Sequence, residues 1–291
     1  MLGKDIFEIL SEIQSFNIYG FDRTSNPKIL EDNQIIGDLT DFDFLTNNLN
    51  KILPDIIIHC AAFVNLNICE ENKKAANALH CEVTNILSSF NSKSTKFNYI
   101  STDSVFDGGK GDYIESDTPN PINYYAKSKL EGERVALENN SNSIVIRTNI
   151  YGFTNPPGNS LAEWAIKNLK QGKSINGFTD TIFNAIYTKQ LARIIRDLII
   201  KYNYNGILNI AGNEYISKYE FLLHLAKVFS YSLGLIKISS SDDINFLVPR
   251  PKNTSLNISK LNNIINEIPG LNEGLNEFYK DYNETFRENG L

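Results

Sequence analysis

Cysteine is scarce in this chain of 291 residues: Cys60, Cys69 and Cys81 are an odd number with no C-x-x-C spacing. That excludes a disulfide framework and gives no zinc motif, so a reducing compartment is expected. Long apolar runs are missing as well. The longest, Ile56 to Val64, falls far short of the ~18 residues that span a bilayer. Met1-Leu2-Gly3-Lys4-Asp5 has neither the basic segment nor the apolar stretch of a secretion signal. There is no excess of positive charge either, since 28 Lys and Arg stand against 34 Asp and Glu for a net charge of -6, without blocks of like charge. A polyanion is therefore a poor partner. The expectation is a soluble cytoplasmic protein that engages neither nucleic acid nor membrane. What is present is ordinary globular composition, 42% hydrophobic and 21% charged, at a length that buries roughly three quarters of the unfolded surface.

Apolar residues at Ile6, Phe7, Ile9, Leu10 and Ile13 predict an opening amphipathic helix. A strand over Asn17 to Asp22 follows, then a turn-rich stretch from Arg23 to Asn33 and a helix over Phe42 to Leu53 that Thr40 or Asp41 caps and Pro54 stops. Asp55 to Cys60 is β-branched and apolar on both faces, which reads as a buried parallel strand at the sheet centre. The alternation continues with a helix from about Glu70 to Phe90, a strand over Phe97 to Ser101, a helix over Tyr125 to Glu138 and a strand over Ile144 to Thr148. The fold class expected is α/β: a Rossmann-type doubly wound parallel sheet forming a dinucleotide-binding domain over residues 1–150, with the ligand crevice at the carboxyl ends of the strands. Beyond Tyr151 the alternation loosens to a strand-like run at Gly206 to Ile210, a helix over Lys218 to Val228 and a polar tail. Residues 151–291 read as a smaller substrate-binding lobe, partly interleaved with the first domain.

A dinucleotide-binding unit should open on a strand and a glycine-rich turn that lets backbone N–H groups reach a pyrophosphate. Neither is here, yet the first helix is followed by Tyr19-Gly20-Phe21-Asp22, an acid where a carboxylate would bind the adenosine ribose. The reconciliation is that Gly3 is the last glycine of a fingerprint whose first part precedes Met1. In such a sheet the first strand lies between the second and the fourth, so its loss should leave two ladders unpaired and the chain poorly folded or rearranged. The alternative is a genuine start with a different strand order.

Tyr125 and Lys129 lie four residues apart, on one face of a helix. A neighbouring ammonium lowers the pKa of a phenol, which makes it a proton donor and acceptor near neutral pH. Ser101-Thr102-Asp103 ends a predicted strand in the same crevice, and a hydroxyl there can hydrogen-bond a carbonyl oxygen while Tyr125 protonates it. The plainer reading has Thr102 capping a loop and Tyr125 packing at a helix start.

These segments, Ile100-Ser101-Thr102-Asp103-Ser104-Val105-Phe106-Asp107-Gly108 and Tyr124-Tyr125-Ala126-Lys127-Ser128-Lys129-Leu130-Glu131-Gly132-Glu133, resemble the extended short-chain dehydrogenase/reductase superfamily, and within it the dTDP-4-dehydrorhamnose reductase family. Similar segments run from Gly3 to about Lys260 and include Gly37-Asp38-Leu39, His59-Cys60-Ala61-Ala62-Phe63, Arg147-Thr148-Asn149-Ile150-Tyr151-Gly152 and Arg250-Pro251. The resemblance implies that Thr102, Tyr125 and Lys129 are the catalytic trio. It implies that Asp22 and Arg23 hold the adenosine ribose, Asp38 and Leu39 the adenine, and that Ala61, Ala62 and Phe63 run beside pyrophosphate and nicotinamide, with Gly3, Tyr125 and Lys129 completing the cofactor site. Arg23 can pair with a 2′-phosphate, which favours NADP over NAD; a solvated Asp22-Arg23 turn pair is the plainer alternative.

Ser104 stands where the family carries an aromatic residue, and because Asp103 precedes it the acid pair of sugar-nucleotide dehydratases is absent. His80 occupies a position commonly Asn and reads as a hydrogen-bonded structural group. With no carboxylate at ligand spacing from His59 or His224, no metal is expected. For a nucleotide-sugar substrate the resemblance points to Asp103, Asn184 and Arg250, the last suited to a diphosphate, while Trp164 reads as core. The expected activity is NAD(P)H-dependent reduction of the 4-keto group of a nucleotide-linked deoxysugar, in a chain that can also form a homodimer. The alternatives are a sugar-nucleotide epimerase and a non-catalytic binding subunit of the same fold, the latter favoured by the absent phosphate loop.

Overall fold

The computed structural model describes residues 1–25, 31–154, 156–265 and 267–287. Part of the turn-rich stretch expected before Asn33, residues 26–30, and the end of the expected polar tail, residues 288–291, lie outside them. The chain opens with helix α1 (Leu2–Ser11), as the spacing of its apolar residues predicts. Two short strands follow, β1 (Gly20–Asp22) and β2 (Gln34–Ile36), then α2 (Phe42–Ile52) and β3 (Ile56–His59). Asp41, not Thr40, caps α2 by accepting the Phe44 N–H at 3.0 Å. The helix expected over 70–90 starts earlier and is broken into α3 (Leu66–Glu71), α4 (Lys73–Asn77), a π-helical turn (Ala78–Glu82) and α5 (Val83–Ser89). Next come β4 (Lys96–Ile100), α6 (Tyr124–Asn139), β5 (Ser143–Arg147) and β6 (Ile150–Tyr151).

The second half holds more regular structure than its loosened pattern suggests. It runs α7 (Leu161–Lys170), β7 (Ile175–Phe178), β8 (Ile182–Phe183), β9 (Ile186–Tyr187), α8 (Thr188–Ile200), β10 (Gly206–Asn209), β11 (Ile216–Ser217), α9 (Lys218–Val228), β12 (Ile236–Ser239), α10 (Ser259–Asn262) and α11 (Leu271–Arg287). The expected polar tail is thus largely helix. Leu271, Leu275 and Phe278 recur at helical spacing in α11 and are buried with Phe221, Leu225 and Ile166.

The main sheet is parallel in the order β10-β5-β4-β3, and among the described residues β1 pairs only with β2. This is the doubly wound α/β architecture expected. One expectation is corrected: β3 is the edge of this sheet, not its centre. Among the described residues no strand pairs with its other side, so β3 is buried only at alternate positions, whereas β5 is buried at all five. For the same reason β1 is strand where β2 supplies a ladder, over three of the six residues expected to be strand. Ile144 and Ile146 of β5 face a core built with Leu2, Ile6 and Leu10 of α1 and Leu191 and Ile195 of α8. Val145 faces the opposite core of Leu45, Leu49, Val83, Phe97 and Tyr99. Each such aliphatic side chain contributes about 2 kcal/mol of gross transfer free energy, which is how α1 is held on the sheet. A third core, Ala162 to Phe278, belongs to the C-terminal region, although β10 from that half of the chain returns to the main sheet. No helix among the described residues is long and apolar enough to cross a membrane.

Candidate active site

Thr102 follows β4 at its carboxyl end and caps a single turn, Asp103 to Val105, by accepting the Ser104 N–H at 3.2 Å. Its hydroxyl also lies near enough to the Tyr125 phenol to pull that group's pKa down. Tyr125 sits in the first turn of α6, which is fastened at three points. Asn123 Oδ1 accepts the Ala126 N–H at 3.0 Å, Glu70 Oε1 accepts the Tyr124 N–H at 2.7 Å, and the Asn123 amide donates to the Pro249 carbonyl at 3.1 Å. The strand end and the helix start therefore place the hydroxyl and the phenol on neighbouring elements.

Lys129 behaves otherwise than expected. One turn further along α6, it is 1% exposed. Its Nζ donates to the Ile100 carbonyl at 2.6 Å and lies 4.0 Å above the Tyr99 ring centre. Burial pulls its pKa down to about 7, against the opposing pull of the Glu133 carboxylate. The Tyr125 phenol is raised by burial above its ordinary value, with the nearby Thr102 hydroxyl working the other way. The expectation that Lys129 lowers Tyr125 is thus corrected for this arrangement. Desolvation sets the direction, the Lys129 charge is not among the main influences on the phenol, and the amine is engaged by a carbonyl and a ring.

His80 is fully buried in the π-helical turn. Its Nε2 accepts the Phe63 N–H at 2.9 Å, so Nδ1 carries the proton and donates to Ser128 Oγ at 2.8 Å; that hydroxyl donates to the Tyr125 carbonyl at 2.9 Å. Its ring meets Tyr125 edge-on at 5.8 Å. Burial pushes its pKa down to about 3, so it stays a neutral bridge between the 61–63 strip and α6. Gly132 permits the close packing behind it, because a Cβ there would lie 2.2 Å from the Tyr99 hydroxyl and 2.4 Å from the His80 carbonyl. Glu133 and Arg147, each 2% exposed, form a bidentate pair beside Lys129, with Ser101 donating to the same carboxylate.

The other expected site residues fall into two groups. Asp22 and Arg23 are exposed at the end of β1, and the charge of Arg23 reaches Asp38, whose carboxylate already accepts from Thr40 N–H at 2.8 Å and Thr40 Oγ1 at 2.7 Å. Leu39, Ala61, Ala62 and Phe63 are half-buried, and a Cβ on Gly3 would stand 3.5 Å from Cys60, which places the start of α1 against the end of β3. The intended substrate residues are less open. Asp103 is buried and accepts from Thr102, Ser104, Asn149 and Thr254. Asn184 is buried and makes three hydrogen bonds, to Gly212 and Leu256. Both serve the internal framework. Arg250 is exposed on a cleft of 580 Å³ whose walls include Trp164, Phe178, Lys218 and Leu222. Trp164, expected in the core, is 38% exposed on that wall. Lys218 carries no local sequence signal, whereas Glu133 could have been found four residues after Lys129.

A dinucleotide fits what is present at two ends. The Thr148 hydroxyl, at the end of β5 and beside Asp103, is buried without a partner, and the acid at the end of β1 is open. Among the described residues no cluster of metal-ligating side chains occurs.

The family described as the RmlD substrate binding domain matches residues 1–284. The chain is 31% identical over 273 residues to the methionine adenosyltransferase 2 subunit beta of Rattus norvegicus, an alignment covering 90% of this chain and 78% of that protein. Among solved structures, a hypothetical dTDP-4-dehydrorhamnose reductase from Sulfolobus tokodaii superposes with a TM-score of 0.80 at 31% identity, covering 94% and 95% of the two chains. A dTDP-4-dehydrorhamnose reductase from Bacillus anthracis, solved in complex with NADP, gives 0.84 at 26% identity, covering 96% and 95%.

Proposed function

Because the chain belongs to the RmlD substrate binding domain family, we propose that it reduces the 4-keto group of a nucleotide-linked deoxysugar with NADPH, NADH being the alternative donor. The observation that carries this reading is the Thr102 hydroxyl at the carboxyl end of β4 set close enough to the Tyr125 phenol to act on it, with Lys129 one turn away. Asp22, Arg23, Asp38 and Leu39 would hold the adenosine half of the dinucleotide, Gly3 its pyrophosphate, and Ala61, Ala62, Phe63, Tyr125 and Lys129 the nicotinamide half. When bound, the reduced nicotinamide supplies a hydride.

The side chains handle the proton. Thr102 donates a hydrogen bond to the carbonyl oxygen and so stabilises the charge that grows there. Tyr125, whose raised pKa keeps it protonated at neutral pH, gives that oxygen its proton. Lys129, titrating near 7, is a proton reservoir one turn along the same helix. The C-terminal region takes the nucleotide-sugar, with Arg250 toward the diphosphate. The test is keto-sugar-dependent oxidation of NADPH; Tyr125→Phe should lose turnover and keep dinucleotide binding, and normal turnover by that variant would refute the mechanism.

A second reading has support from one observation, the 31% identity over 90% of this chain to a protein named as a subunit of methionine adenosyltransferase 2. On that reading the fold recognises a partner protein. Co-purification of a stable partner, together with absence of keto-sugar reduction, would favour it.

A further inference from the structure

One carboxylate joins three segments of the chain behind Thr102. Asp103 is 3% exposed, and a carboxylate so buried is tolerated only when donors fill its lone pairs. Its Oδ1 accepts the Thr102 hydroxyl at 3.1 Å and the Ser104 hydroxyl at 3.3 Å. Its Oδ2 accepts the Asn149 amide at 2.7 Å and the Thr254 hydroxyl. Burial raises the pKa of Asp103, and these four donors work against that rise. Thr102 and Ser104 are local and Asn149 lies two residues beyond β5, so of the four only Thr254 comes from the second half of the chain. It sits on an extended segment laced from both sides. Ile182 N–H donates to the Lys252 carbonyl at 2.6 Å and Thr254 N–H to the Ile182 carbonyl at 3.1 Å, while opposite them Tyr113 N–H donates to the Ser255 carbonyl and Asn257 N–H to the Tyr113 carbonyl, each at 2.9 Å. Arg250 stands four residues before Thr254 on the same segment.

A hydroxyl carries one proton, and its direction follows the best acceptor within reach. For Thr102 that acceptor is Asp103 Oδ1, while the Ser104 N–H occupies a lone pair of the same hydroxyl at 3.2 Å. The Thr102 side chain is therefore only as fixed as the carboxylate beside it. We propose that Thr254 is a positioning residue: by anchoring Asp103 Oδ2 to the C-terminal region it holds Asp103, and through it the Thr102 hydroxyl, in register with the Tyr125 phenol. The inference rests on the reductase reading above and extends it to a residue that reading leaves out. In turnover the Thr102 proton turns from Asp103 to the carbonyl oxygen about an oxygen atom that stays in place, and Asp103 keeps its other three donors. The segment that carries Arg250 and the strand end that carries Thr102 thus meet through one side-chain bond between residues 151 positions apart.

Three variants of the full chain test this. Thr254→Val removes the hydroxyl and keeps the shape, and Thr254→Ser keeps the hydroxyl. Ser255→Ala removes the next side chain on the segment, which bonds Asn253 Oδ1 and the Asp112 N–H and leaves Asp103 untouched. In keto-sugar-dependent oxidation of NADPH, Thr254→Val is expected to lower kcat roughly 10- to 100-fold with little change in KM, while Thr254→Ser and Ser255→Ala stay near the parent protein. Thr254→Cys, whose thiol is a weak donor, should fall between, and it replaces the valine variant if that one does not fold. A second readout needs no turnover: hydrogen exchange of the Ser104 amide, followed by NMR, should quicken in Thr254→Val and in neither Thr254→Ser nor Ser255→Ala. Parental kcat in Thr254→Val, losses of similar size in Thr254→Val and Ser255→Ala, or unchanged Ser104 exchange overturns the proposal. If the parent protein reduces no keto-sugar and Ser104 exchange still responds to Thr254→Val alone, the clamp on Asp103 stands and the reductase reading falls.

Discussion

The two halves of the candidate site are built on opposite principles. Around Tyr125 nearly every polar group is matched: Lys129 to a carbonyl, Glu133 to Arg147 and Ser101, His80 to Phe63 and Ser128. Protonation there is governed by desolvation, which raises Tyr125 and lowers Lys129 and His80. In the cleft beneath the C-terminal region the charged groups are left open, with Lys218 and Arg250 facing the same space. A closed network fixes the geometry of proton transfer, and an open pair of charges awaits a ligand. Disturbing the first should therefore cost fold and chemistry together, and disturbing the second should cost binding alone.

The largest effect is expected from Tyr125→Phe, which removes the proton donor and nothing else; turnover of keto-sugar should fall by roughly 10²- to 10⁴-fold in a steady-state NADPH assay. Next is Glu133→Gln. This leaves Arg147, 2% exposed, without its counter-charge, and breaking one side of a buried pair costs about 3–5 kcal/mol. Chemical denaturation of parent and variant would measure it, and a loss below 1 kcal/mol would show that the network is not closed as described.

These residues also mark how far the sequence could be read. The Tyr125 to Lys129 spacing was legible because four residues on a helix translate directly into one face, and Asp22 because it ends a strand. Which way Lys129 points was not, since that depends on the Ile100 carbonyl and the Tyr99 ring from another strand. The helix expected over 70–90 is interrupted by a π-helical turn whose carbonyl, at His80, receives Thr84 and lies against Gly132, a contact 52 residues away in the chain. The apolar run at Ile56 reads the same for a central strand and an edge strand, because burial is decided by neighbours. In α11 the apolar stripe is narrow and the surrounding residues polar, so it read as tail. Trp164 shows the converse failure, a large apolar side chain that borders a cleft.

Buried neutral and weakly charged groups give a pH signature that belongs to the closed half. His59 and His80 both titrate near 3 when folded because burial disfavours their charged forms, against about 6.5 when unfolded. Below pH 6.5 the unfolded chain therefore binds more protons, and stability should fall as pH drops from there toward 3, by up to about 1.4 kcal/mol per unit for each histidine. Lys129 acts in another window. Its folded pKa of about 7 lies below the unfolded value, so stability should rise between pH 7 and about 10.4, with a limiting slope of about 1.4 kcal/mol per unit. Melting curves of Lys129→Met should lack that rise and retain the acid limb. If both limbs survive in the variant, Lys129 is not the desolvated amine described.

The smallest effect is expected where a charge pair has the same composition as the buried one and a different setting. Arg134 lies one residue after Glu133 and meets Glu131 and Glu138 at 2.5 Å, yet its side chain is 54% exposed. Water already solvates all three groups, so their mutual attraction is largely offset by hydration and by the entropy of holding long side chains. Arg134→Ala should therefore leave the denaturation midpoint close to that of the parent protein, and added salt should shrink any remaining difference. The contrast with Glu133→Gln isolates burial as the variable, because the two positions are adjacent in one helix and differ chiefly in which side faces the sheet. Similar losses from both variants would mean that α6 responds to any lost charge, and the distinction between a closed half and an open half of the site would no longer stand.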